Sequence, residues 1–224
     1  MRVERFASVV ALLWLNASGC QRSPMSDLPV WRVELDGDGR EVRLVHLPFE
    51  QTSYDLRTHQ RLKVIQDRNQ DGRSDRIVVY AGQGEARSVE TDADFDGHVD
   101  RWETFGVDGQ RRRSATSDSG DGRPTRVATY GSGGILALIE MDANRDGRFE
   151  ITQVFENRRL AETRIDSDGS GRVDRVQDHR PGHLASEVFD NNEDGIDDFR
   201  MTYSPTGVLL KVEVLQSRTA GAIR

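Results

Sequence analysis

The 224-residue sequence predicts an all-β fold, an antiparallel meander of hairpin repeats of about 25 residues that forms a twisted, curved sheet. The first observation is a recurring nonapeptide: "DRNQDGRSD" from Asp67, "DADFDGHVD" from Asp92, "DANRDGRFE" from Asp142, "DSDGSGRVD" from Asp166 and "DNNEDGIDD" from Asp190. A decayed copy, "SDSGDGRPT", starts at Ser117, and a fainter one, "ELDGDGREV", at Glu34. The fifth positions Asp71, Asp96, Asp121, Asp146, Ser170 and Asp194 are spaced 25, 25, 25, 24 and 24 residues apart, a register that unrelated turns do not keep. The second observation is a ladder five residues beyond each loop: Tyr80, Phe105, Tyr130, Phe155, His179 and Tyr203, mostly aromatic. The third is composition. "RIVVY", "RWETF", "RVATY" and "ITQVF" are rich in β-branched and aromatic residues, and glycine-bearing turns such as "YAGQGE" and "FGVDGQ" follow most of them.

Taken from the N-terminus, Arg2 and Arg5 precede an apolar run from Phe6 to Leu15 and the small residues Ala17, Ser18 and Gly19, the layout of an export signal. That ten-residue run reaches about half of the roughly 20 that a membrane-spanning helix needs. Cys20 is the sole cysteine, so no disulfide within the chain is available to it. The arrangement resembles a bacterial lipoprotein signal, with Ala17 where an aliphatic residue is usual. That resemblance implies lipidation of Cys20, and Gln21 in place of Asp after it implies the outer membrane or cell surface of a Gram-negative bacterium; a periplasmic or secreted protein is the alternative. We divide the chain into a signal peptide, 1–19, a tether, 20–30, a repeat domain, 31–216, and a flexible tail, 217–224.

Each repeat reads loop, strand, glycine turn, strand, with the loops along one edge of the sheet and the tight turns along the other. Alternation sets Ile77, Val79, Trp102, Thr104, Val127 and Thr129 on one face, and Arg76, Arg101, Arg126 and Arg175 with the aromatic ladder on the other. The segment between Val42 and Asp67 is longer than its fellows and is expected to be an insertion or irregular cap. About a dozen strands are expected, and an open sheet of that size curls or splits. A small β-propeller with two repeats per blade is the alternative.

The loops carry the chemistry. Side-chain oxygens at positions 1, 3, 5 and 9 and glycine at 6 suit a hard cation around which the chain must turn sharply. The ligand set is Asp67, Asn69, Asp71 and Asp75; Asp92, Asp94, Asp96 and Asp100; Asp142, Asn144, Asp146 and Glu150; Asp166, Asp168, Ser170 and Asp174; and Asp190, Asn192, Asp194 and Asp198. Oxygen alone favours Ca²⁺ over zinc or copper, which want His or Cys. Position 12, where an EF-hand needs glutamate, is met only by Glu103. The loops resemble the DxDxDG calcium loops of thrombospondin type 3 repeats and β-propeller adhesion modules, which implies that the glutamate function sits at position 9. The aromatic and glycine pattern is similar to hairpin repeats of the MORN and YD types.

Charge points the same way. Formal charge is −7, and −8 once the signal with Arg2, Glu4 and Arg5 is removed, which argues against a nucleic-acid partner. The five full loops hold sixteen acids at ligand positions, so five Ca²⁺ would bring the chain to about +2. The decayed 117–125 loop, with Ser117, Ser119 and Thr125 replacing acids, is expected to bind none. No catalytic constellation is legible: His179 and His183 flank Pro181 and Gly182 in a turn, and "YGSGGI" lacks the order of a nucleophile elbow. The arginines are expected to pair with nearby acids. The reading is a calcium-binding envelope lipoprotein, not an enzyme, serving as a structural or adhesion module with a protein or glycan partner. A metal-dependent hydrolase using one open loop, or a glycan-binding propeller, is the alternative.

Overall fold

The computed structural model describes residues 30–82 and 84–215, so the expected signal peptide, Cys20 and most of the expected tether, and the last nine residues lie outside the described part. Its sixteen strands are β1 (Val30–Leu35), β2 (Glu41–Leu47), β3 (Glu50–Asp55), β4 (Arg61–Gln66), β5 (Arg76–Tyr80), β6 (Ala86–Thr91), β7 (Arg101–Phe105) and β8 (Arg111–Thr116), then β9 (Arg126–Tyr130), β10 (Leu136–Met141), β11 (Ile151–Glu156), β12 (Arg159–Ile165), β13 (Arg175–Arg180), β14 (His183–Phe189), β15 (Phe199–Tyr203) and β16 (Leu209–Val214). They form one sheet in sequence order, with β1 and β16 at its two ends, so the strands are not parcelled into blades and the propeller alternative falls. A single short 3-10 turn, Ser132–Gly134, interrupts the described strands. The chain comprises two compact units, one of residues up to Val99 with Phe105–Gly109, the other of Asp100–Thr104 with Gln110 onward.

In the first unit the register places Thr52 opposite Val64, Val64 opposite Val78 and Val78 opposite Val89. Directly opposed residues share a face, and these four are buried. Tyr80, Ala86 and Phe105 pack against the three valines. The expected arginine-and-aromatic face is therefore not uniformly wet. Its middle row, between the arginine and the ring of each strand, holds one part of the core, covered by Tyr80 and Phe105, while Val42 and Leu44 of β2 are buried on the reverse face.

In the second unit the same row runs Ser114, Ala128, Ile139, Gln153, Thr163, Gln177, Glu187, Met201 and Val212, each opposite the next. Ile139, Thr163 and Glu187 are buried. Here the row turns polar, and each of its buried polar groups has a partner: Thr163 Oγ1 lies 3.1 Å from His179 Nε2, while Glu187 accepts from Arg175, Gln177 and Tyr203. Val127, the most buried residue at 1% exposure, and Ala115 opposite it lie on the reverse face.

Two expectations about the N-terminal third are corrected. The segment after Val42 is regular: β3 is a repeat strand whose Tyr54 joins the aromatic ladder, and its loop has shrunk to Pro48 and Phe49. Phe49 does what a ninth loop residue does, its carbonyl accepting from Asp67 N at 3.0 Å, as that of Asp75 accepts from Asp92 N at 2.8 Å. The "ELDGDGREV" stretch is not a faint metal loop. It closes the turn edge, with Asp36 N donating to Arg40 O and Gly39 N to Asp36 O, the pattern repeated at Ala81, Gly84 and Glu85 and at Ser204, Gly207 and Val208. A register shift accompanies the ladder residue at Tyr54, Tyr80, Tyr130, Phe155, His179 and Tyr203. A bulge of this kind re-aims the ring that precedes each turn.

Candidate metal loops

The loops lie at one edge because each begins where an even-numbered strand ends and closes where the next begins. The first-position N–H donates to the ninth-position carbonyl of the preceding loop, at 2.8–2.9 Å for Asp142, Asp166 and Asp190, which stacks the loops in register.

Within a loop the acids are held by backbone amides. The first aspartate accepts from the sixth-position glycine: Gly72 to Asp67, Gly97 to Asp92, Gly147 to Asp142, Gly171 to Asp166 and Gly195 to Asp190, all at 2.7–2.9 Å. The fifth accepts from the seventh, Arg73 N donating to Asp71 at 2.8 Å and His98 N to Asp96 at 2.7 Å. The ninth reaches back to the second: Asp75 from Arg68 at 2.5 Å, Glu150 from Ala143 at 2.8 Å, Asp174 from Ser167 at 2.6 Å and Asp198 from Asn191 at 2.8 Å. First and ninth positions are thereby drawn under the sheet edge, with Asp75, Asp92, Asp142, Glu150, Asp166 and Asp190 buried, while positions 3 and 5 stay exposed in most loops.

Four of the five expected sites bring three carboxylates together, with oxygens within 4.8 Å of one another: Asp67, Asp71 and Asp75; Asp92, Asp94 and Asp96; Asp142, Asp146 and Glu150; and Asp166, Asp168 and Asp174. These groups could hold metal ions. Asp100, the ninth residue of the second of these loops, belongs to the other compact unit. The 190–198 loop has the same hydrogen bonds, but among the described residues it shows no such grouping of Asp190, Asp194 and Asp198. Of the non-acidic ligand positions, Asn69 and Asn144 turn their amides toward the fifth-position carboxylates, at 3.1 and 3.2 Å, and Asn192 toward Asp198 at 3.3 Å. Ser170 Oγ accepts from Arg172 N at 3.3 Å.

The electrostatics are those of crowded anions. The Asp168 carboxyl is held below the usual range by the Ser170 N–H and by Glu193, and the Asp168 carboxylate in turn pushes Glu193 up. One oxygen has no partner: Glu150 Oε1 is fully occluded and makes no hydrogen bond, although Oε2 of the same carboxylate is satisfied by Ala143. In the decayed loop the hydroxyls satisfy one another, Ser117 Oγ with Ser119 Oγ at 3.1 Å and Ser119 with Asp121, so its single fifth-position acid is compensated locally.

The motif reading missed what lies between the ligands. Position 4 is left-handed in every full loop, at Gln70 (φ 65°), Phe95 (67°), Arg145 (64°), Gly169 (75°) and Glu193 (56°). The glycines at 169 and in the decayed loop at 120 were the available signal. The seventh-position arginine leans over the next loop, Arg73 Nη1 standing 2.5 Å from where a Cβ on Gly97 would be, and Arg172 Nη1 donating to Glu193 O at 3.0 Å. Of the ladder arginines, Arg175 pairs with Glu187 and Arg101 with Glu103, whereas Arg76 donates to the Gln66 amide oxygen at 3.4 Å. His179 is a ladder residue bound to Thr163.

No family model and no curated protein matches the chain. Among solved structures it is similar to the crystal structure of TarM, at 15% identity and TM-score 0.35 over 47% of this chain and 20% of that one. The same values hold for a variant of S. aureus TarM in complex with fondaparinux, alpha-GlcNAc-glycerol and UDP. Accessory secretory protein 1,2 and 3 in Streptococcus pneumoniae matches at 14% identity and TM-score 0.28, over 59% of this chain and 20% of that one. The chain spans about a fifth of the length of these structures, and at such scores the likeness carries no argument about its activity.

Proposed function

We propose that the chain is a calcium-stapled structural or binding module of the bacterial cell envelope, exported and tethered by a lipid on Cys20, and that its loops serve stability rather than catalysis. The observation that carries the metal reading is Glu150. A carboxylate oxygen buried without a donor costs several kcal/mol unless a cation faces it, and the Glu150 carboxylate that carries this oxygen groups with those of Asp142 and Asp146, one oxygen of each lying within 4.8 Å of the others. Every side chain in the four groups is a carboxylate, with no His or Cys, which favours Ca²⁺ over zinc. Bound ions also add stability by mass action to a sheet with a thin apolar core.

The experiment is calorimetric titration of the metal-free protein with Ca²⁺ and with Mg²⁺, paired with thermal melts in Ca²⁺ and in EDTA. Four to five Ca²⁺ per chain and a large loss of melting temperature in EDTA support the reading; zero stoichiometry with unchanged melting ends it. Metabolic labelling with palmitate tests the anchor, with label expected on the wild-type chain and absent from Cys20→Ser.

A further inference from the structure

The first and last strands carry the same two-sided pattern. β1 reads Val30-Trp31-Arg32-Val33-Glu34-Leu35 and β16 reads Leu209-Leu210-Lys211-Val212-Glu213-Val214. Each stands at an end of the strand order, and among the described residues each has a hydrogen-bonded neighbour on one side only. All six residues of β1 and five of β16 are exposed.

Their faces match. Trp31 lies opposite Val45 and Val45 opposite Thr52, so Trp31 and Val33 project on the face of the buried central row. Val212 lies opposite Met201 in that same row, so Val212 and Val214 project there too. Trp31, Val33, Val212 and Val214 are 56, 45, 53 and 76% exposed, large apolar groups in water on an unpaired strand edge. On the reverse face each strand carries one cation and one anion two residues apart, Arg32 bonded to Glu34 and Lys211 Nζ to Glu213 at 2.5 Å.

We infer that β16 of one copy of this chain pairs antiparallel with β1 of another, continuing the meander across the junction. In the register with Val212 opposite Val33, Val214 falls opposite Trp31, Lys211 opposite Glu34 and Glu213 opposite Arg32. Apolar meets apolar on one face and opposite charges meet on the other. A parallel pairing would set Lys211 beside Arg32 and Glu213 beside Glu34, which like-charge repulsion disfavours. The contact is heterologous and leaves one β1 and one β16 edge free, so copies add head to tail.

The test is sedimentation of the purified protein across a wide concentration range, with charge reversals at the junction. Wild type is expected to associate with rising concentration. Glu34→Lys and Lys211→Glu each remove one opposite-charge pair and weaken association about fivefold or more, and the double variant in one chain restores it. Melting temperatures and circular dichroism of the variants show that the strands are intact. A concentration-independent monomer overturns the inference. So does a dimer that Lys211→Glu abolishes with no rescue and Glu34→Lys leaves untouched, since that is β16 meeting its own copy. Association that appears only after residues 216–224 are removed overturns it as well, since the edge of the intact chain is then taken by its own tail.

Discussion

Tyr203 donates its phenolic hydrogen to the Glu187 carboxylate, the residue sixteen positions earlier and one strand back. The same sixteen-residue step joins Tyr130 to Ser114, at 3.3 Å, and His179 to Thr163, at 3.1 Å. It also leads from Phe105 to Val89, both in the apolar cluster. Rings with a polar tip stand over polar central-row residues in these three pairs, and the phenylalanine stands over a valine. Ladder and central row match in chemistry at these four steps; Tyr80, sixteen residues after the apolar Val64, instead accepts at its hydroxyl from Arg61 at 3.5 Å.

Tyr203→Phe should cost about 1–3 kcal/mol near neutral pH, because Glu187 is buried and loses a donor. Burial alone would raise the Glu187 carboxyl, yet Tyr203, Arg175 and Gln177 together hold it below its usual range. A depressed folded value means this contribution is complete above the unfolded pKa and disappears as pH falls through the folded one. Urea unfolding of wild type and variant should therefore give a gap near pH 7 that narrows on acidification, and a pH-independent gap would show that the hydroxyl only packs.

Glu150→Gln should act in opposite directions with and without calcium. In EDTA it removes an uncompensated buried charge, so the melting temperature should hold or rise. In Ca²⁺ it loses a charged ligand, so melting should fall below wild type and titration should show one site weakened at least about tenfold. A fall of equal size in both conditions would mean that Glu150 serves packing alone.

Asp96→Ala and Asp121→Ala make chemically alike changes at equivalent positions. Asp96 sits with Asp92 and Asp94 in one carboxylate group, so its loss should remove about one bound Ca²⁺ together with the stability linked to it. Asp121 is held by Ser119 and Arg123, and its removal should leave the ion count unchanged. Equal calorimetric effects would show that the decayed loop also binds.

Gln70→Gly should stabilise the metal-free protein by up to about 1 kcal/mol, since a side chain at φ 65° carries left-handed strain that glycine does not. The reverse change, Gly97→Ala, should cost about 1 kcal/mol or more, because φ is 94° there; the Arg73 guanidinium that the new methyl would meet is the end of a flexible side chain and can move aside. Chemical denaturation of both variants checks the pair.

The sequence by itself determined the five full loops, the hairpin strands that follow Asp67 and their meander order. Each of those signals is local: carboxylates drawn from positions 1, 3, 5 and 9 gather within nine residues, and β-branched runs between glycine turns fold onto their neighbours, so the regular spacing survives in one dimension. Hence Asp142, Asp146 and Glu150 could be named together from spacing alone. Tertiary structure decided what depends on the residues across a strand pair. Val64, Val78 and Val89 look like ordinary strand valines until register sets them opposite one another under Tyr80 and Phe105. Tyr54 was hidden because its repeat has lost the loop that marked the others, and the hydrogen bond from Asp67 N to Phe49 O restores it to the series. The unpartnered Glu150 Oε1 was likewise invisible, since composition shows that an acid is present but only packing shows which of its two oxygens water and donors reach.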